Sequence, residues 1–228
     1  MAKKQNKSAC SASTITGQTQ RVGIFGASGC GKTTKARELI RGLNRVVYFE
    51  PLADDIRRLE HEDKYVVVAG LANLFKELAK RWTKGFKIAY FPGVSHEESE
   101  LSVISNQLMR MQADYGLTHS AQITLVVDEL DLSFPSGISQ RNPGNGFKNL
   151  CCRGRHTGIN IVGISQRMHL IDNVFRANCS AFYLFRHSEP ADIDVGVKIL
   201  GREYRLDFKD LSDFQYFYKA GQKIFIHR

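Results

Sequence analysis

Gly26-Ala27-Ser28-Gly29-Cys30-Gly31-Lys32-Thr33 is a complete match to the phosphate-binding loop, G-x-x-x-x-G-K-[ST]. An apolar strand, Val22 to Phe25, leads in, and the helix-forming run Lys35-Ala36-Arg37-Glu38-Leu39-Ile40 leads out. This strand–loop–helix context separates the motif from a chance glycine turn. A triphosphate concentrates negative charge, and the loop offers backbone N–H groups and the positive end of a helix dipole. Gly26, Gly29 and Gly31 allow bends that a Cβ would obstruct. Residues Gly26, Ala27, Ser28, Gly29, Cys30, Gly31, Lys32, Thr33 and Thr34 are therefore the expected nucleotide-binding residues. Lys32 is assigned to the β- and γ-phosphates, Thr33 to Mg²⁺ and Thr34 to the α-phosphate. Cys30 occupies a variable position and reads as incidental.

A second motif follows. Ile123-Thr124-Leu125-Val126-Val127-Asp128-Glu129 is an apolar strand ending in two carboxylates, the Walker B pattern. Asp128 is expected to hold Mg²⁺ through a water, because Mg²⁺ keeps most of its hydration shell. Glu129 can orient and polarise an attacking water. A hydrolase must activate that water, whereas a small-molecule kinase must exclude it, so the adjacent Glu favours hydrolysis. Asp131 reads as a solvated or capping residue. Gln166 sits at the tip of the strand Ile159–Ser165, on the edge where open α/β sheets bind ligands. A neutral amide there can sense a γ-phosphate without adding negative charge.

The chain has 228 residues, enough for one sizeable domain, with 43% apolar and 24% charged residues. No apolar run approaches a bilayer span, and the lysine-bearing N-terminus lacks the apolar core of a secretory signal. Five cysteines without a C-x-x-C pair suggest a reducing compartment. Adjacent Cys151 and Cys152 read as buried packing residues. The net charge is +9, and Lys3, Lys4 and Lys7 carry three of those charges, leaving six on residues 21–228. Such an excess suits a polyanion partner, although a basic soluble surface has the same composition.

Residues 1–20 are predicted to be a flexible basic tail, and 21–228 a single α/β domain. Strands are expected at Arg21–Phe25, Arg45–Phe49, Tyr65–Ala69, Phe86–Phe91, Ile123–Val127, Ile159–Ser165 and Ala181–Arg186. The strongest are continuous β-branched runs without alternation, as in a buried parallel sheet. Helices are expected over Leu71–Trp82, over residues 189–200 with Ser188 as N-cap and Pro190 in the first turn, and after Ser95. In the last, Leu101, Ile104, Leu108, Met111 and Tyr115 share one face. Gln215–Ala220 and Lys223–His227 read as a β-hairpin. Phe134–Gly146, with Pro135, Gly137, Pro143, Gly144 and Gly146, reads as a long loop, functional or mobile.

The segment Gly154-Arg155-His156-Thr157-Gly158-Ile159-Asn160-Ile161-Val162-Gly163-Ile164-Ser165-Gln166-Arg167 resembles the FtsK/HerA superfamily of DNA-pumping ATPases. That family has an Arg, a Gly-Ile/Val turn, an apolar strand and then Thr/Ser-Gln-Arg. The resemblance continues through Ile171–Asn178, where the family has a short helix ending in Ala-Asn, and reaches the Tyr216–Ile226 hairpin. The cellular members' membrane segments, large preceding domain and sequence-reading domain have no counterpart here. A bare motor of this size looks like the genome-packaging ATPases of tectivirus-type internal-membrane icosahedral viruses.

The resemblance implies a RecA/FtsK-like P-loop NTPase fold, with a mostly parallel central sheet, flanking helices and a C-terminal β-hairpin. It implies ATP and Mg²⁺, and a homo-oligomeric, hexameric ring threading double-stranded DNA into a capsid. Capsid-vertex and internal-membrane proteins would be its partners, and the host cytoplasm or a virion vertex its location. It places an arginine finger, acting on a neighbouring subunit's nucleotide, at Arg155, with Arg153 as fallback. Arg167 and Arg186 lie near the same sheet edge as the loop and are not ranked. Sequence-independent pumping needs cationic phosphate contacts; the candidates are Arg141 and the cluster of Arg81, Trp82, Lys84 and Lys87. An ordinary solvated helix end with one packed Trp explains that cluster slightly better. Other readings are a different phage or plasmid assembly or DNA-transfer ATPase, a nucleotide or nucleoside kinase, and a nucleotide-gated scaffold that does not turn over.

Overall fold

The structure, a computed structural model, describes residues 18–118 and 121–227. Lys3, Lys4 and Lys7 of the expected tail lie outside the described residues. Its last members are tied down: the Gln20 backbone N–H donates to Asn160 Oδ1 at 2.8 Å, and its carbonyl accepts from Ile161.

The strands are β1 (Arg21–Phe25), β2 (Arg45–Phe49), β3 (Val66–Ala69), β4 (Phe86–Phe91), β5 (Ile123–Val127), β6 (Ile159–Ser165), β7 (Ala181–Phe185), β8 (Tyr216–Ala220) and β9 (Lys223–His227). They form one nine-stranded sheet in the order β3-β4-β2-β5-β6-β1-β7-β8-β9. The seven strands from β3 to β7 in that order are all parallel, and β8 and β9 add an antiparallel hairpin. The fold is therefore the mostly parallel P-loop NTPase sheet with flanking helices and a terminal hairpin.

β1, β2, β5, β6 and β7 are buried along their whole length. Successive side chains of a strand face opposite sides of the sheet, and both sides here are covered. Ile123, Leu125 and Val127 of β5 face a core with Leu74, Leu101, Ile104, Leu108, Phe147 and Phe175. Val126 faces the other side, with Ala36, Leu39, Tyr48 and Leu59. Two apolar layers explain why the sequence of β5 does not alternate.

The helix Glu97–Met111 buries Leu101, Ile104 and Leu108. Tyr115 begins the next helix, Tyr115–Thr118, so it extends the apolar stripe from a separate element. The helix Pro190–Leu200 has Glu189, not Ser188, at its N-cap, with Pro190 in its first turn. The helix Asn173–Asn178 is capped by Asp172, whose side chain accepts from Val174 N–H at 2.9 Å.

Phe134–Gly146 is not a long loop. Pro135 bridges Ile171, residues Ile138–Arg141 are helical, and Phe134, Ile138, Ser139 and Asn145 are buried. Asp172 N–H donates to Phe134 O at 3.0 Å, and Asp172 Oδ2 accepts from Ser139 N–H at 3.0 Å. Gly146 opens the helix Gly146–Arg153 and donates its N–H to Ser102 Oγ at 2.7 Å. A Cβ at 146 would stand 2.0 Å from the Ser102 carbonyl. This glycine is required by close helix approach rather than by a turn. On the same helix Cys151 is buried but Cys152 is exposed, so only the first is a packing residue.

Candidate nucleotide-binding site

The loop after β1 is bolted to its neighbours before the helix Lys32–Ile40 begins. Gly26 N–H donates to Ser165 O at 3.3 Å, at the tip of β6, and Ala27 N–H donates to Arg186 O at 2.9 Å, just beyond β7. Gly29 and Gly31 adopt left-handed φ of 75° and 105°, which only glycine takes without strain. The Cys30 thiol is buried, and burial pushes its pKa up, leaving it unreactive. Lys32 is buried, and its ammonium donates to Ala27 O at 2.9 Å, across the mouth of its own loop. Thr33 and Thr34 follow in the first turn of the helix.

β5, β6 and β1 are adjacent in the sheet, so their C-terminal tips meet. Asp128 is 9% exposed; its Oδ2 accepts from the Tyr48 hydroxyl at 2.9 Å, and its Oδ1 accepts from Glu129 N–H at 2.9 Å. Glu129 has φ 39° and ψ 56°, a left-handed conformation for a non-glycine residue. Such strain costs about 1–3 kcal/mol and persists where the surroundings enforce it. The Gln166 Nε2 donates to Glu129 Oε1 at 2.7 Å, tethering its carboxylate. Asp131 is neither simply solvated nor a cap: it accepts from Ser165 Oγ at 2.6 Å, and Ser165 Oγ in turn accepts from Arg167 N–H.

One carboxylate here was not legible in the sequence. Glu50 follows β2 and is 3% exposed. Burial, and then the charge of Asp128, push its carboxyl pKa up to about 8; burial also raises Asp128 to about 6, against the Tyr48 and Glu129 hydrogen bonds. Among the described residues, no three or more His, Cys, Asp or Glu side chains form a group able to hold a metal by itself. A carboxylate such as Asp128 and a hydroxyl such as that of Thr33 are oxygen donors of the kind Mg²⁺ takes when it arrives with phosphates.

His187, just after β7, is also buried; its Nδ1 lies 4.0 Å from Asp192 Oδ2, and its Nε2 has no hydrogen-bond partner among the described residues. Burial lowers its pKa to about 4, with Asp192 opposing and Lys32 and His169 reinforcing the shift. Between the ordinary value of 6.5 and about 4, the unfolded chain binds a proton that the folded chain refuses. Stability contributed by neutral His187 is thus lost as pH falls through that window. His187→Gln is expected to flatten this dependence by about 2 kcal/mol between pH 7 and pH 4.5, measured by denaturant unfolding.

No protein-family model and no curated protein sequence matches the chain. Solved structures do match. The genome packaging NTPase B204 from Sulfolobus turreted icosahedral virus 2, in complex with sulfate, aligns at a TM-score of 0.69 and 12% identity, over 93% of this chain and 98% of that one. B204, the DNA-packaging ATPase from Sulfolobus turreted icosahedral virus, aligns at 0.67 and 15% identity, over 92% and 97%. VirB4 of Thermoanaerobacter pseudethanolicus aligns at 0.60 and 11% identity, over 90% and 88%. The chain shares the fold of these proteins.

In this sheet every parallel strand points its C-terminal end at the loop, which sorts the arginines. Arg167 and Arg186 stand on the loop's edge, and Arg186 pairs with Asp213 at 2.6 Å. Arg155 precedes β6 and is exposed, as is Arg153. At about 3.3 Å per residue, the seven residues of β6 put Arg155 about 20 Å from the Gln166 tip. The structure thus brings Lys32, Asp128, Glu129 and Gln166 to one edge and leaves Arg155 at the other.

Arg141 is exposed on the helix Ile138–Arg141, 4.0 Å from Glu98. Trp82 stacks on Phe86 with 5.8 Å between centroids, under the Arg45 guanidinium, and Arg81 pairs with Glu77. Lys84 is exposed, and the Lys87 ammonium lies 5.9 Å from the Tyr65 ring centroid. Trp82 and Arg81 are therefore occupied within the fold. Among the described residues no helix is long and apolar enough to cross a membrane.

Proposed function

We propose that this chain is the ATP-hydrolysing subunit of a homo-oligomeric ring, a hexamer, that translocates double-stranded DNA and packages a viral genome into a preformed capsid. The observation that carries this reading is the convergence of Lys32, Asp128 and the Glu129–Gln166 pair on one sheet edge. Lys32 neutralises the β- and γ-phosphates after leaving Ala27 O, while Thr33 and Asp128 would hold Mg²⁺. Mg²⁺ supplies charge neutralisation to the transferring phosphoryl group. Glu129 orients and deprotonates the attacking water, and Gln166 holds that carboxylate in place and reports the γ-phosphate.

The position of Arg155 supports the ring reading. It stands at the far edge of its own sheet, so a finger role for it requires the triphosphate of a neighbouring subunit. The likeness to viral packaging NTPases supports a DNA cargo, as does the residual positive charge of residues 21–228. Arg141, Lys84 and Lys87 are the proposed DNA contacts. Capsid-vertex and internal-membrane proteins are the proposed docking partners, met in the host cytoplasm or at a virion vertex.

The test measures steady-state ATPase rate with and without double-stranded DNA, and mass in solution with a nonhydrolysable ATP analogue. A rate stimulated about 10-fold by DNA and an assembly of several subunits are expected, with the stimulation weakening at high salt. A monomer indifferent to DNA that phosphorylates nucleosides would establish the kinase reading instead.

A further inference from the structure

Phe214 stands out among the exposed side chains. It is 61% exposed, and its backbone is left-handed, with φ 65°. An exposed phenyl group contributes little burial, and a bulky residue in that conformation is strained. Neither property helps the core, yet the residue is held firmly. Phe214 N–H donates to Cys30 O at 2.9 Å, inside the phosphate loop. Asp213 pairs with Arg186, whose carbonyl receives Ala27 N–H from the same loop. On the other side, Ser212 N–H donates to Gln215 Oε1 at 3.0 Å, closing the turn into β8.

The ring itself lies on Gly31. A Cβ there would stand 2.7 Å from Phe214 Cδ1 and 3.5 Å from Phe185 Cε1. The strained turn thus clamps an exposed aromatic face against the residue before Lys32. What lies beside a phosphate loop and has a flat face of its own is the base of the nucleotide whose phosphates the loop holds. We infer that Phe214 is the platform on which the nucleobase of the bound triphosphate stacks. Every base has a π-face, so such a platform adds affinity without reading hydrogen-bond edges. Purine triphosphates, with the larger face, are the expected ligands, and discrimination between adenine and guanine by Phe214 is expected to be weak.

This inference rests on the proposed nucleotide-binding function, and the experiment separates the two. Affinities for Mg²⁺ with ATP, GTP and inorganic tripolyphosphate are measured by calorimetry on the full chain as wild type, Phe214→Ala, Phe214→Trp and Lys32→Ala. Phe214→Ala is expected to weaken ATP and GTP about 10-fold, the range for losing one base–aromatic stack, and to leave tripolyphosphate unchanged. Phe214→Trp is expected to keep nucleotide affinity, with fluorescence quenched by ATP and not by tripolyphosphate. Lys32→Ala is expected to lose all three ligands. Equal losses of ATP and tripolyphosphate in Phe214→Ala would make Phe214 a mere brace for the loop. Unchanged ATP affinity in that variant, with Lys32→Ala still defective, would remove the platform and leave the loop assignment standing. A wild-type chain that binds neither ATP nor tripolyphosphate would sink both. Loss of subunit assembly in Phe214→Ala at undiminished ATP affinity would reassign the ring to a neighbouring copy.

Discussion

Arg155→Ala is expected to lower ATP turnover by about 10³-fold or more, the scale on which an arginine finger stabilises the charge of a transferring phosphoryl group. The argument is geometric. Arg155 lies on the short helical turn Gly154–Thr157, exposed, with its backbone carbonyl receiving the Thr19 hydroxyl. The whole of β6 separates it from Gln166, so it has no path to its own Lys32. If it acts, it acts on a neighbour. Mixing Arg155→Ala subunits with Lys32→Ala subunits should therefore restore part of the activity, because the first supplies an intact phosphate loop and the second an intact arginine. Steady-state turnover of the two variants alone and at equal ratio checks this. Mixtures as inactive as either parent would count against a finger in trans, and full turnover by Arg155→Ala alone would release Arg155 from catalysis altogether.

Glu129→Gln is expected to reduce turnover by about 10²–10⁴-fold, the usual contribution of a positioned general base, while ATP affinity is retained. Glutamine preserves the shape of Glu129 and can still accept a hydrogen bond from Gln166. What it removes is the negative charge that polarises water. The left-handed backbone at 129 and the 2.7 Å bond from Gln166 both hold this carboxylate to one place, so a nearby acid cannot readily substitute. Asp128 accepts hydrogen bonds from Tyr48 and from Glu129 N–H, and its proposed role is with the metal. Single-turnover hydrolysis alongside equilibrium nucleotide binding separates the two effects. Loss of binding in step with turnover would mean that Glu129 supports the ground state instead.

Much of this was readable from residues alone, for identifiable reasons. β1, β2, β4, β5 and β6 match their expected bounds because each is a short, mostly apolar run between clear breakers. Phe134–Gly146 was misread because proline and glycine usually mark turns, and here Gly146 admits the Ser102 carbonyl while Pro135 pairs with Ile171. Glu50 escaped notice because it is one acid after one strand, far in sequence from Asp128. Only the placement of β2 beside β5 makes the two carboxylates neighbours.

Local sequence determined the phosphate loop, the acidic tip of β5 and the amide tip of β6, because backbone freedom at glycine, β-branched burial and side-chain chemistry act over a few residues. The order of the strands was decided by tertiary packing, since parallel strands are joined by crossovers whose landing place depends on which apolar faces meet. That order joins Gln166 to Glu129, and the packing of the turn before β8 lays Phe214 over Gly31.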